Sequence, residues 1–128
     1  MCSIMHRMRL GYTILYVRDV DAAIDFWERA FGLARRFVAE DGSYGELETG
    51  DTTLSFAALS MAPAAVEPTR SGPFEVALVT EEVDAAFARA VEAGAEAILE
   101  PTDKPWGQRV SYVRDPDGVL VELCTPVG

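Results

Sequence analysis

The stretch YTILYVRDVDAAIDFWERAFGL, residues 12–33, decides the predicted fold, because a strand pattern changes within it to a helix pattern. Its first six residues are mostly β-branched, aromatic or aliphatic, which is typical of a strand. Asp19 or Asp21 can cap the helix that follows, and Gly32 can end it. Three apolar residues recur at the spacing of one helix face: Ile24, Trp27 and Phe31. Core packing is therefore predicted for Trp27 and for its neighbour Phe26.

The same order of elements returns later in the chain, in FEVALVTEEVDAAFARAVEAGAEAI at residues 74–98. The tetrapeptide VDAA occurs at 20–23 and again at 83–86, an offset of 63 residues. Two strand-like segments around a turn follow each helix, YGELETGDTTLSFAAL at 44–59 and SYVRDPDGVLVELCTP at 111–126. The chain is therefore predicted to contain an internal duplication.

The predicted fold class is α+β, with two βαβββ modules that form a half-barrel sheet around a cleft. Each module needs one further strand, which is predicted near residues 33–39 or 96–99. An antiparallel-rich sheet that packs a helix on one face leaves its other face free to line a pocket. The predicted boundaries are 1–128 for the single domain, 9–59 for the first module, 60–73 for a Pro-, Ala- and Ser-rich linker, and 74–126 for the second module.

The composition limits the classes of partner. The chain has 128 residues, 49% of them hydrophobic and 25% charged, which is typical of one soluble globular domain. A net charge of −10 argues against nucleic acid and anionic membranes, because both attract positive surfaces. It is compatible with a cationic ligand, although solubility alone is a sufficient reason for it. Cys2 and Cys124 form no spaced framework, and the N-terminus resembles no signal peptide or membrane span, so a cytoplasmic location is predicted.

Glu122 is the most informative polar residue, because it lies in the middle of the apolar last strand. Residues alternate between the two faces of a strand, and Glu122 falls on the face that is predicted to line the cleft. Aligning the two halves of the chain pairs Glu122 with Ser55, and Glu75 with Tyr12. The duplication thus selects four equivalent positions, two in each module.

Residues 9–126 resemble the vicinal oxygen chelate superfamily, which includes glyoxalase I, bleomycin-resistance proteins and extradiol dioxygenases. The resemblance rests on YVRDVDAAIDFWERAFGL in the first strand and helix, and on RVSYVRDPDGVLVEL, in which an aspartate-proline-x-glycine turn precedes a strand ending in Glu-Leu. It implies paired βαβββ modules in a half-barrel around a pocket, usually in a homodimer.

Metal-dependent members of this family have four ligands, which correspond here to Tyr12, Ser55, Glu75 and Glu122. Only Glu122 keeps the family's residue, because the resemblance implies histidine in place of Tyr12 and Glu75 and a carboxylate in place of Ser55. Phenol and serine hydroxyls are weak ligands near neutral pH. The single histidine, His6, lies in the N-terminal tail, which argues against an extradiol dioxygenase. We expect no cofactor, and the alternative is Mg²⁺, Mn²⁺, Ni²⁺ or Zn²⁺ on the two glutamates.

Glu75 and Glu122 are predicted to face each other across the module interface, where two like charges raise each other's pKa. Either glutamate could then act as a catalytic acid or base. The alternative is a structural or ligand-positioning role. A hairpin register with Ser111 opposite Glu122 would bring Arg109 diagonally close to that carboxylate.

Further residues are predicted to line the cleft. Most of them lie on the cleft face of a strand, and Trp106 lies in an adjacent loop. The aromatic candidates are Tyr12, Tyr16, Tyr44 and Trp106, and the polar ones are Ser55, Arg109 and Glu46, the last placed opposite Thr53. For Trp106 the alternative is a core or dimer contact. For Glu46 it is a solvated hairpin position.

Three functions are compatible with these residues. The first is a bleomycin-resistance-like protein that binds a planar or cationic small molecule without a metal, as a homodimer. The second is a lyase, isomerase or epimerase of the lactoylglutathione-lyase type, metal-assisted or metal-free, with Glu122 or Glu75 as base. The third is a structural or regulatory module without a ligand, which no residue supports directly.

Overall fold

The computed structural model describes residues 10–63 and 74–127. The predicted tail with His6 and most of the predicted linker lie outside these residues. The first module consists of β1 (Tyr12–Val17), α1 (Val20–Phe31), β2 (Ala34–Val38), β3 (Tyr44–Glu48), β4 (Thr53–Ala58) and a 3₁₀ turn (Leu59–Met61). The second consists of β5 (Val76–Val79), α2 (Val83–Glu92), β6 (Glu96–Asp103), β7 (Arg109–Arg114) and β8 (Leu120–Cys124).

Each module forms a four-stranded sheet with the same topology, in the strand orders β1-β4-β3-β2 and β5-β8-β7-β6. The first and last strands of each module pair in parallel, and the other neighbours are antiparallel. Neither sheet closes on itself, as expected for a half-barrel. The predicted α+β fold of two βαβββ modules is therefore confirmed.

Helix α1 has the ends that the sequence predicts. The backbone N–H of Ala22 donates a 3.0 Å hydrogen bond to Oδ1 of Asp19, so Asp19 and not Asp21 is the cap. Gly32 ends the helix with φ of 71°, a left-handed conformation that glycine adopts without steric cost. In α2, Glu82 occupies the cap position without a side-chain hydrogen bond. Within the described residues, no helix is long and apolar enough to span a membrane.

The hydrophobic core forms where the helices cover their sheets. Trp27 and Ile24 of α1 are fully buried, as are Phe56 and Leu47 of the first sheet. The rings of Trp27 and Phe56 pack edge to face with their centroids 5.5 Å apart. Phe26 belongs to the same core cluster, so the predicted core packing of both helix aromatics is confirmed.

The β7–β8 hairpin differs from the predicted register by one residue. Tyr112, and not Ser111, lies directly opposite Glu122. Hydrogen bonds close the loop around three residues, 116–118, in which Gly118 adopts φ of 90°. A type I turn followed by a left-handed glycine is a common three-residue hairpin loop. A shift of one residue exchanges the two faces of a strand, and this shift determines which side chains reach Glu122.

The two modules contact each other through their helices and through the β7–β8 loop. A terminal amino group of Arg29 donates to the carbonyl of Ala93 at 3.4 Å, and Nε of Arg89 donates to the carbonyl of Arg29 at 2.9 Å. Each helix thus supplies an arginine to a carbonyl at the end of the other helix. In the protein interior, Nε1 of Trp27 donates to Oδ2 of Asp115 at 3.0 Å.

Candidate functional site

The second sheet brings two carboxylates and a phenol together. Glu122 lies on β8, Tyr112 lies directly opposite it on β7, and Glu75 immediately precedes β5, which pairs with β8. The hydroxyl of Tyr112 lies 3.3 Å from Oε2 of Glu75 and 3.3 Å from Oε1 of Glu122. We call these three residues the carboxylate cluster.

The carboxylate cluster corrects the predicted position of the two glutamates. The sequence predicts that they face each other across the module interface, but both belong to the second module. The reason is the parallel pairing of β5 with β8, which makes the first and last strands of one module direct neighbours. The equivalent first-module positions, Tyr12 and Ser55, likewise lie on the neighbouring strands β1 and β4. Within the described residues, no hydrogen bond or ion pair joins the two sets.

Electrostatics within the carboxylate cluster raise the pKa of two of its three groups, Glu75 and Tyr112. Hydrogen bonding to Glu122, partial burial and the charge of Glu122 raise the pKa of the Glu75 carboxyl. Burial and the charges of the two glutamates raise the pKa of Tyr112 to about 12, so the phenol remains protonated at neutral pH. A phenol carries a single donor proton and cannot satisfy two carboxylates at once. The cluster therefore has more acceptor oxygens than protons.

The predicted neighbour of Glu122, Arg109, makes its contacts elsewhere. Its Nε donates to Asp84 on α2 at 2.8 Å, and a terminal amino group donates to Asp103 at 2.9 Å. The one-residue change of register explains this, because it turns Arg109 to the helix side of the sheet. Arg114 donates to the carbonyl of Gly118. Among the described residues, no basic side chain forms an ion pair with either glutamate of the cluster.

The corresponding face of the first sheet carries a neutralised carboxylate. Glu46 lies opposite Ser55, whereas Thr53 was predicted there; the shift of two residues keeps Glu46 on the same face. Its carboxylate accepts a 2.7 Å hydrogen bond from the hydroxyl of Tyr44 and forms an ion pair with Arg36 at 2.9 Å. Ser55 is fully buried and donates to the carbonyl of Thr13 at 3.1 Å.

The three remaining aromatic candidates have different surroundings. Tyr12 is exposed at the start of β1, and Tyr16 is partly buried in the row of β1 and β4 that continues to Tyr44. Trp106 is 66% exposed in the β6–β7 turn, where its indole N–H donates to Gln108 at 2.8 Å. Trp106 is thus not a core residue, and a role as a pocket wall or a dimer contact stays a prediction.

Tyr112 is the cluster residue that strand parity and the duplication do not select. The signal was nevertheless present, since Asp-Pro-Asp-Gly is compatible with a three-residue loop that has glycine in its last position. Counting outward in pairs from such a loop places Tyr112 opposite Glu122.

The donors of the carboxylate cluster do not fit the metal site that the family resemblance implies. Within residues 10–63 and 74–127, no group of three or more histidine, cysteine, aspartate or glutamate side chains could hold a metal ion. The phenol of Tyr112 stays protonated, so Glu75 and Glu122 are the only carboxylates of the cluster. Imidazole ligands, which carry many zinc, nickel and iron sites, are therefore missing from this set, and its two carboxylates fall short of the four ligands that the resemblance implies.

Comparisons with known proteins agree with this fold. A family model described as the Glyoxalase/Bleomycin resistance protein/Dioxygenase superfamily matches residues 9–123. An uncharacterised protein of Mycobacterium bovis (strain ATCC BAA-935 / AF2122/97) is 31% identical over 125 residues, which cover 88% of this chain and 80% of that protein. Among solved structures, TioX from Micromonospora sp. ML1 is 27% identical with a TM-score of 0.71, over 92% of this chain and 98% of TioX. A glyoxalase-related enzyme from Fulvimarina pelagi shares the fold with a TM-score of 0.81 at 24% identity, over 95% and 94% of the two chains.

Proposed function

We propose that this chain, which belongs to the Glyoxalase/Bleomycin resistance protein/Dioxygenase superfamily, binds a small cationic molecule at the carboxylate cluster without a bound metal. One observation carries the proposal. The hydroxyl of Tyr112 lies 3.3 Å from each of two glutamates that have no basic partner among the described residues. A ligand that donates N–H groups and brings a positive charge would satisfy both carboxylates.

The chemistry of the cluster favours an amidinium, guanidinium or primary ammonium group over a quaternary ammonium ion. Glu75 and Glu122 offer four carboxylate oxygens, which accept hydrogen bonds but, when ionised, cannot donate them. Charge-assisted hydrogen bonds of this kind are about twice as strong as neutral ones. Planar cations with two parallel N–H groups also match the fork geometry of a carboxylate. The net charge of −10 further favours the approach of a cation.

A matched series of aromatic probes tests this proposal. Benzamidine is cationic, benzamide is its neutral analogue, and benzoate is anionic with the same ring. We expect benzamidine to bind with one-to-one stoichiometry, benzamide to bind at least tenfold more weakly, and benzoate to show no binding in NMR titrations. Added NaCl should weaken benzamidine binding, because salt screens exposed charges. Equal affinities for benzamidine and benzamide would refute a cation site.

A homodimer is part of the same proposal, because each module has an unpaired strand at the edge of its sheet. Among the described residues, β1 and β5 have a hydrogen-bonded neighbour on one side only. Val79 on β5 is 64% exposed, and Tyr12 on β1 is also exposed. Unpaired strand edges with exposed apolar side chains are suited to pairing with another chain. Pairing of β1 with β5 of a second copy would place the first sheet beside the carboxylate cluster.

The dimer is testable with a single substitution at the strand edge. We expect Val79→Lys to convert the dimer to a monomer, because a charged side chain at an edge opposes strand pairing. Light scattering after size-exclusion chromatography, over a hundredfold range of protein concentration, measures the change. Val91→Lys, on the exposed side of α2, is the control and should stay dimeric. A parent protein that remains monomeric throughout would contradict the proposal.

Proton transfer is the second candidate function, and the raised pKa of Glu75 favours it. A carboxyl group whose pKa lies closer to neutrality is a more effective acid or base near neutral pH. The reaction would be a metal-free isomerase, epimerase or lyase step next to a carbonyl group. The hemithioacetal of methylglyoxal and glutathione is the probe: in D₂O, catalysed conversion should incorporate solvent deuterium. Conversion at the rate of the protein-free buffer would exclude this reaction for that substrate.

A further inference from the structure

The duplication places two equivalent cavities at the module interface, and they differ in size. One lies between α1 and the β7–β8 loop and has a volume of about 300 Å³. The other lies between α2 and the β3–β4 turn and has a volume of about 530 Å³. Three residues of α1 in the first cavity, Ala22, Ala23 and Phe26, correspond at the 63-residue offset to Ala85, Ala86 and Arg89 of α2 in the second. We call the larger one the α2 cavity.

Contacts between α1 and the β7–β8 loop surround the smaller cavity, and within the described residues the α2 cavity lacks their equivalents. On the α1 side, Trp27 is bonded to Asp115, and Nε of Arg18 donates to Asp117 at 3.0 Å. At the offset of 63 residues, Ala90 takes the place of Trp27, and a glutamate takes the place of Arg18. In the part of the chain that the structure describes, the β3–β4 turn makes no hydrogen bond to α2. The module interface therefore has more polar contacts and a smaller cavity in one half of the duplication than in the other.

The α2 cavity combines an apolar floor with one cation. Leu78 and Leu123 contribute side chains from β5 and β8, and Ala30 contributes from the end of α1. Arg89 is fixed at the rim by its Nε, which donates to the carbonyl of Arg29 at 2.9 Å. Its two terminal amino groups have no hydrogen-bond partner among the described residues. Those amino groups can still donate to a ligand in the parallel geometry that a carboxylate accepts.

We infer that the α2 cavity binds a second small molecule, with an apolar body and a carboxylate that pairs with Arg89. The volume of about 530 Å³ lies within the range of small-molecule sites. Glu82 also lines the cavity, seven residues before Arg89 and therefore about 10 Å away along the helix. Its charge disfavours a dianion and directs the single carboxylate to the Arg89 end. Leu123 and Glu122 are successive residues of β8 and point to opposite faces of the sheet, while Ala77 and Val79 extend the cavity to the β5 edge.

The test uses 1-naphthaleneacetate and its neutral analogue 1-naphthaleneacetamide, followed by NMR titration of the full chain. The parent should bind the carboxylate with one-to-one stoichiometry and at least tenfold more tightly than the amide. Arg89→Gln should remove that preference, and Arg29→Gln on the other helix should keep it. Ala85→Trp should abolish binding of both probes by filling the cavity. Ala22→Trp, at the equivalent position of the smaller cavity, should leave binding unchanged.

Several outcomes would overturn the inference. It fails if Arg89→Gln binds 1-naphthaleneacetate as tightly as the parent does, or if Ala22→Trp and Ala85→Trp weaken it equally. It also fails if the parent binds neither probe and Ala85→Trp dissociates a dimer, because the cavity would then belong to a contact between two copies. Ala85 is exposed on α2, and its side chain forms no hydrogen bond. Ala85→Trp should therefore fill the cavity and keep the hydrogen bond of Arg89. Benzamidine binding should remain unchanged in all four variants, which separates this site from the carboxylate cluster.

Discussion

Replacement of Glu122 by glutamine is expected to weaken benzamidine binding at least tenfold and to move the pH dependence of binding to lower pH. The loss follows from removal of one charged acceptor, since a hydrogen bond to an ionised group contributes about 1.5–3 kcal/mol and tenfold corresponds to about 1.4 kcal/mol. The side chain of glutamine has nearly the same shape. The contacts around position 122 should therefore remain close to those of the parent.

The pH dependence distinguishes an electrostatic effect from a loss of shape. In the parent, Glu122 raises the pKa of Glu75. Benzamidine binding should therefore be lost as the pH falls through that raised pKa, because the neutral carboxyl no longer attracts the cation. Glu122→Gln removes the charge and alters the hydrogen bond that raise the pKa of Glu75. The pKa of Glu75 should therefore return toward its ordinary value. The residual binding should persist to lower pH than it does in the parent.

A matched variant in the first module controls for the loss of a carboxylate as such. Glu46→Gln removes a glutamate that also bonds a tyrosine, but this glutamate is already paired with Arg36 at 2.9 Å. It should leave both the affinity for benzamidine and the midpoint of its pH dependence unchanged. Equal losses in Glu46→Gln and Glu122→Gln would indicate a general effect of net charge. An unchanged midpoint in Glu122→Gln would show that Glu75 does not sense Glu122.

Strand parity is enough to place the two glutamates on one face, whereas the identity of their neighbours also requires the correct hairpin register. Strand parity depends on short-range periodicity, and the duplication on a repeat at an offset of 63 residues, and together they select Glu122 and Glu75. The identity of their neighbours depends on hairpin register, and an error of one residue exchanges every side chain on a strand. The predicted register is wrong by one residue, so it places Arg109 beside Glu122 and omits Tyr112. In the structure, Arg109 contacts two aspartates on the helix side of the sheet.

The fold itself followed from local patterns, whereas the contact between the modules did not. The changes from strand to helix periodicity around Asp19, and the glycine at position 32, specify elements that depend mainly on their own residues. The interior hydrogen bond from Trp27 to Asp115 joins residues 88 positions apart. Periodicity identifies Trp27 as a core residue but contains no information about the acceptor of its N–H group. Asp115 was assigned only to a turn, and its role at the interface depends on tertiary packing.

Replacement of Asp115 by asparagine is expected to lower the free energy of unfolding by about 1–3 kcal/mol, because it leaves a buried indole N–H without an acceptor. In the parent, Oδ1 of Asp115 accepts from the backbone N–H groups of Asp117 and Val119, and Oδ2 accepts from Trp27. An asparagine that keeps both backbone hydrogen bonds must direct its amide nitrogen at the indole. The substitution therefore removes the contact between modules and preserves the loop. Urea denaturation at neutral pH measures the change.

A double-mutant cycle with Trp27→Phe separates this hydrogen bond from the packing of the ring. Trp27→Phe alone loses the donor together with part of the core contact with Phe56. In the double variant Asp115→Asn no longer opposes an indole N–H, so the second substitution should cost at least about 1 kcal/mol less than it does alone. Additive losses would show that the two side chains do not interact energetically. In that case the arginine contacts would be left as the main polar connection between the modules, from Arg18 to the β7–β8 loop and between α1 and α2.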